Sequence, residues 1–93
     1  MNTRTEVDVS EKPGSFTVSA YPNPSNYEFN LSVTGGSSEK IEIAVSSVDG
    51  REVFRANGAS NKIYRFGGSF QPGLYIIRVI QGSTLKTIKV IKG

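Results

Sequence analysis

An all-β sandwich of about seven antiparallel strands is the fold this sequence predicts, and three observations predict it. From Phe16 onward, apolar residues recur at every second position and never at helical spacing over three turns. Gly, Pro, Asn and Asp pairs cut the chain into short runs at regular intervals. Several runs carry one plainly polar side, as strands do when one face meets a core and the other meets water. Those polar faces favour two packed sheets over the structural alternative, a small closed barrel.

The elements follow in order. Residues 1–15 hold no isoleucine and read as a polar, flexible lead-in punctuated by Pro13-Gly14; residues 16–93 form the domain. Phe16, Val18 and Ala20 share one side of a first strand. Phe29, Leu31 and Val33 alternate with Glu28, Asn30, Ser32 and Thr34, and Ile41, Ile43 and Val45 repeat the pattern against Glu42 and Ser46. Glu52 to Ala56 and Lys62 to Phe66 are shorter strands with weaker alternation. Leu74 to Ile80 is apolar on both sides except at Arg78, which predicts a central strand covered on both faces. Thr84 to Lys92 mixes lysines with Leu85, Ile88, Val90 and Ile91, so its inward side is not legible from alternation.

The connections have their own chemistry. Asp49-Gly50 suits a two-residue hairpin, because both residues tolerate positive φ. Pro72-Gly73 fits a type II turn, with proline presetting φ and glycine accepting the positive φ after it; Gly73→Ala is then expected to destabilise the domain. Gln81-Gly82 predicts a tight hairpin between the last two strands. Gly35-Gly36-Ser37-Ser38 and Gly67-Gly68 read as flexible connections.

Composition narrows the function classes. The chain has 93 residues, 37% hydrophobic and 20% charged, which is one ordinary globular domain. It has no cysteine and no histidine, so the commonest nucleophile, acid–base and zinc ligands are missing, and no catalytic residue or cofactor is expected. The acids Glu28, Glu39, Glu42, Asp49 and Glu52 read as solvated surface groups, and no dense calcium loop or phosphate-binding glycine loop appears. No apolar run reaches the roughly 20 residues of a membrane helix. Residue 1 is followed by polar residues with no secretory leader pattern, so if the domain works outside the cytoplasm, another part of a longer precursor is expected to carry the export signal.

Charge is unevenly placed. All eight acids lie at or before Glu52, while Arg55, Lys62, Arg65, Arg78, Lys86, Lys89 and Lys92 follow it without an acid. Solvated strand faces and edge lysines account for this pattern, and an acidic partner is the sharper reading. Tyr64, Phe66, Phe70 and Tyr75 interleave with Arg65 and Arg78 in the manner of a nucleic-acid stacking surface, but core packing explains aromatics on strands equally well, and nucleic acid is not an expected partner. Asn30-Leu31-Ser32 fits the N-glycosylation pattern inside a strand and is taken as structural.

The segment Tyr21-Pro22-Asn23-Pro24 is the most informative in the chain. Neither proline can donate to a sheet ladder, and each presses the residue before it toward extended geometry, which predicts a stiff, extended exit from the first strand with Tyr21 free to pack. The segment resembles the signature that opens the type A sorting domain of the type IX secretion system. In order, Asp49-Gly50-Arg51 resembles that family's mid-domain hairpin, Pro72-Gly73-Leu74-Tyr75 its Pro-Gly-x-Tyr element, and Lys86 to Lys92, with Lys89 and Val90, its lysine-bearing terminal strand. The resemblance covers residues 16–92.

It implies an immunoglobulin-like sandwich that directs a cargo protein from the periplasm across the outer membrane to the cell surface or medium. Its implied partners are the type IX translocon, an outer-membrane shuttle and a cell-surface sortase that removes the domain within or near residues 1–15. The final hairpin, Leu74 to Lys92, would carry the signal through a strand edge and through Lys86, Lys89 and Lys92, which at three-residue spacing cannot share one face. Reversing all three charges is expected to impair secretion without unfolding the domain. Tyr21 to Pro24 is expected to form a rigid corner where the chain crosses between sheets, with docking as the other reading, Gly73 to be conformational and Tyr75 to lie in the core. Both a monomer and a strand-paired dimer are compatible with exposed edges. A carbohydrate-binding or adhesion module is the competing reading, with Tyr27, Tyr64 and Phe70 as candidate contacts.

Overall fold

The period-two segments form seven strands: β1 (Phe16–Tyr21), β2 (Phe29–Gly35), β3 (Ile41–Ser47), β4 (Glu52–Gly58), β5 (Lys62–Phe66), β6 (Gly73–Gln81) and β7 (Thr84–Lys92). The computed structural model describes residues 16–93. The lead-in, residues 1–15, and the cleavage position expected there lie outside the described residues. A three-stranded sheet, β1-β2-β5, packs on a four-stranded sheet, β4-β3-β6-β7, and every strand pairing is antiparallel. The chain crosses between sheets after β2, β4 and β5, which gives the immunoglobulin-like sandwich in place of a closed barrel.

The core is made where the alternation of each strand points inward. Phe16, Phe29, Leu31, Val33, Ile41, Ile43, Val45, Ile77, Val79 and Val90 are all but removed from solvent. An aromatic chain links the sheets: Phe66 on β5 stacks on Phe54 of β4 at 4.8 Å, and Phe70 stacks on Tyr75 of β6 at 4.6 Å. Phe66 also meets Phe29 and Phe70 at 6.1 Å each.

The structure corrects the expectation for β6. It is central in the hydrogen-bond ladder, between β3 and β7, but only Tyr75, Ile77, Val79 and Gln81 are buried. Leu74 and Ile80 on its other face are exposed and Ile76 is half-covered. Apolar character on both faces therefore did not mean cover on both faces, because no further layer packs outside this sheet among the described residues. For β7 the register settles what the pattern left open. Lys86, Ile88, Val90 and Lys92 face inward, and Leu85, Thr87, Lys89 and Ile91 face out.

Three turns differ from their sequence expectations. The β3–β4 connection has four residues, Val48 to Arg51, not two. Ser47 N–H donates to Arg51 O at 2.9 Å and Gly50 N–H to Ser47 O at 2.9 Å, so a turn over Ser47–Gly50 ends in Gly50 at φ 88°. Only Gly50 needs positive φ; beyond the turn the register shifts between Val45 and Ser46, with Val53 of β4 the extra residue. No hydrogen-bonded turn forms at Pro72-Gly73. Gly73 is already the first residue of β6, paired with Lys92, and its φ of 152° belongs to a region open to glycine and rarely to other residues. The last hairpin is tight as expected, with its two loop residues one position later, Gly82 and Ser83; Gly82 at φ 60° suits the first position of a type II′ turn. The Gly35–Ser38 connection is tied down. Gln81, buried at the end of β6, accepts from Ser37 N–H at 3.0 Å and donates to Ser37 O at 3.1 Å and Glu39 O at 2.7 Å.

Candidate functional site

The register brings the motif segments to one end of the sandwich. Gly73 pairs with Lys92, Tyr75 with both Val90 and Ser47, and Ser46 with Glu52, so the starts of β4 and β6 and the ends of β3 and β7 share a pole. Tyr21, the last residue of β1, delivers Pro22-Asn23-Pro24 to the same pole. Lys86 lies apart, opposite Val79 toward the other end.

Tyr21 to Pro24 does not leave β1 as an extended segment. It bends, with cis peptide bonds before both prolines, and Tyr21 remains exposed. The bend lays Asn23 against the outer edge of β7. The Asn23 carboxamide donates to Lys89 O at 3.2 Å and accepts from Ile91 N–H at 2.9 Å, which is how a neighbouring strand's peptide group would pair. Ser25 continues the pairing: its N–H donates to Ile91 O at 3.0 Å, its O accepts from Gly93 N–H at 2.7 Å, and it forms a parallel bridge with Lys92. Ser25 is itself buried, its hydroxyl donating to Glu28 O at 2.6 Å and accepting from Tyr27 N–H at 3.2 Å. The corner does not cross between sheets as expected, since β1 and β2 share a sheet; the bend instead clamps the last strand. Asn23 and Ser25 carry the clamp, and nothing in the one-dimensional pattern announced it.

Lys92 is the second feature that the sequence concealed. It is 5% exposed, and its ammonium donates to Gly67 O at 2.5 Å, Gly68 O at 3.5 Å and Phe70 O at 3.0 Å. A buried cation is tolerated when its donors are satisfied, and here three carbonyls of the β5–β6 loop do so. Lys89 is exposed on the opposite face of β7. The three lysines do fail to share a face, as their spacing requires, but charge reversal at Lys92 would place a carboxylate among carbonyls and would not leave the fold intact.

The remaining motif residues are conformational or packed. Tyr75 is buried against Phe70, and its hydroxyl donates to Gln71 O at 2.6 Å. Val90 is core. The Asp49 carboxylate accepts from the Ser47 hydroxyl, and this bond with that from the Arg51 backbone holds its pKa below the ordinary 3.8. The Asp49–Arg51 loop and the Gln71–Gly73 segment face each other across two adjoining open clefts, each of about 290 Å³, that share Ser47, Arg51, Gln71 and Tyr75 as walls. Elsewhere Arg55 forms a two-pronged ion pair with Glu52 at 2.8 and 2.9 Å, which lowers the Glu52 pKa and raises that of Arg55.

The aromatics proposed as a stacking or sugar-binding surface are not arrayed as one. Phe66 and Tyr75 are buried, Phe70 packs on the core, and Tyr64 bonds Ala59 O while Lys62 sits 5.5 Å above its ring. Tyr27 alone of the candidates is largely exposed. Among the described residues no cluster of acidic side chains has a metal-binding arrangement, and no helix is long and apolar enough to cross a membrane.

Residues 19–93 match a family described as the secretion system C-terminal sorting domain. No curated protein matches the chain.

Proposed function

Since this chain belongs to the family of secretion system C-terminal sorting domains, a family of type IX export signals and not of enzymes, we propose that its final hairpin, β6–β7, is the part that the export machinery reads, and that a cell-surface sortase then removes the domain. Membership places the attached cargo at the cell surface or outside the cell. In the finer reading, the cargo waits in the periplasm, an outer-membrane shuttle accepts it from the translocon, and cleavage falls within or near residues 1–15.

The observation that carries this reading is the convergence of Tyr21–Pro24, Asp49–Gly50, Pro72–Tyr75 and Lys89–Lys92 at one pole, with Asn23 and Gly73 paired to the end of β7. A strand held at one end by Asn23 and Ser25 keeps its other half, Thr84 to Ile88, as an edge to which a partner strand can add. The residues whose backbone groups face that edge alternate with those facing β6, so Leu85 and Thr87 continue the series of Lys89 and Ile91.

The test is a secretory leader and fluorescent reporter fused ahead of residues 1–93, expressed in a host with type IX machinery and in a matched host lacking the outer-membrane translocon. Export from the first host alone is expected, with the reporter shortened by close to the 10.1 kDa of the chain. Retention in both hosts overturns the sorting function; export at full length overturns the sortase step only.

A further inference from the structure

The outer face of the β6–β7 hairpin has a composition that a solvated sheet face does not need. Leu74 stands opposite Ile91 at one end, and Ile80 opposite Leu85 at the other. All four are exposed, at 38%, 48%, 36% and 55%. Between these two apolar pairs lie Ile76 opposite Lys89 and Arg78 opposite Thr87, which makes Arg78 and Lys89 diagonal neighbours. Arg78 reaches the Ser46 hydroxyl at 3.5 Å, and among the described residues neither it nor Lys89 forms an ion pair. Glu42, diagonal to Arg78 on β3, lies on the far side from Lys89. Two like charges thus sit side by side in the middle of an apolar stripe about 20 Å long, given a rise of about 3.3 Å per strand residue.

Resting on the reading of the hairpin as the signal, we propose that this outer face, and not only the strand edge, is the recognition surface, and that its occupant is a protein whose contacting surface carries carboxylates between two apolar clusters. Burial of the four aliphatic side chains supplies the attraction, and a carboxylate facing Arg78 and Lys89 removes their mutual repulsion and fixes the register. A second copy of this chain does not fit. A two-fold contact through the stripe sets its centre against itself and brings four cations together. An anionic lipid surface fits less well, because the cations lie between the apolar pairs instead of rimming them and the stripe carries no aromatic residue.

The reporter fusion tests this with two double variants, Leu85→Ser with Ile91→Ser and Arg78→Glu with Lys89→Glu. Each is expected to lower export about tenfold or more, while Ile63→Ser with Tyr27→Ser, exposed apolar residues elsewhere, stays within about twofold of the parent. Thermal unfolding of the purified chains checks the fold. The charge pair decides if the aliphatic pair proves unstable, and Arg78→Lys with Lys89→Arg should retain export. Parent-level export by both double variants overturns the inference and leaves the sorting function standing. Failure of the parent itself overturns the sorting function and this inference with it. Co-sedimentation of the purified chain with phosphatidylglycerol vesicles, lost on charge reversal, reassigns the face to lipid and overturns the protein partner.

Discussion

Lys92 shows how a residue type can mislead when its neighbours in space are unknown. In sequence it closes a series of three lysines; in the fold its ammonium holds the carbonyls of Gly67, Gly68 and Phe70. Lys92→Met keeps the aliphatic stem and leaves those acceptors without their donor. It should cost about 2–3 kcal/mol in urea unfolding, the range for a lost charged hydrogen-bond partner in a buried site. An unchanged midpoint would show that water replaces the ammonium there. Asp49 is the titratable counterpart at the surface. Its folded-state pKa lies below the ordinary 3.8, so the ionised form is favoured by folding. That contribution is complete above the unfolded pKa and fades as pH falls through the lowered folded value. Glu52, lowered from 4.5 by Arg55, acts in the same direction. The melting temperature should therefore fall on the acid side below pH about 4. Asp49→Asn and Glu52→Gln should each flatten that limb. Both carboxylates are fully exposed, so the slopes, and not large stability differences, are the quantities to compare.

At the scale of elements, the strands were legible and their joints less so. Alternation places Phe29, Leu31 and Val33, or Ile41, Ile43 and Val45, inward without any knowledge of partners, because a strand with one solvated face must alternate. Asp-Gly and Pro-Gly locate a bend but do not count its residues: the bulge at Val45/Ser46 and the pairing of Gly73 with Lys92 depend on register across strands. The clamp of Asn23 and Ser25 on β7 joins positions more than sixty residues apart, and no local pattern encodes such a contact. Asn23→Ala removes both side-chain bonds to β7. Hydrogen exchange at the Ile91 amide should accelerate, with a loss of about 1–2 kcal/mol in global stability. Retained protection of Ile91 would mean that Ser25 alone holds the strand.

Across the whole molecule, the resemblance of four short motifs identified the family, while their physical reading identified the sandwich. The motifs are spread over more than sixty residues of the chain because each marks a different strand end, and antiparallel pairing folds those ends to one pole. The outer face of β6 was concealed for the opposite reason. Leu74, Ile76 and Ile80 look like interior residues in sequence, since hydrophobicity alone does not distinguish a buried face from one held in reserve for another protein. The pole itself has a mechanical consequence. The backbone enters the domain at Phe16, which lies beside Gly36 and Gln81 at the end remote from Lys92 and Gly73. A pull on the chain at Phe16, about the length of one strand from the clamp, therefore loads β1 against β2 before it reaches β6 and β7 in the other sheet.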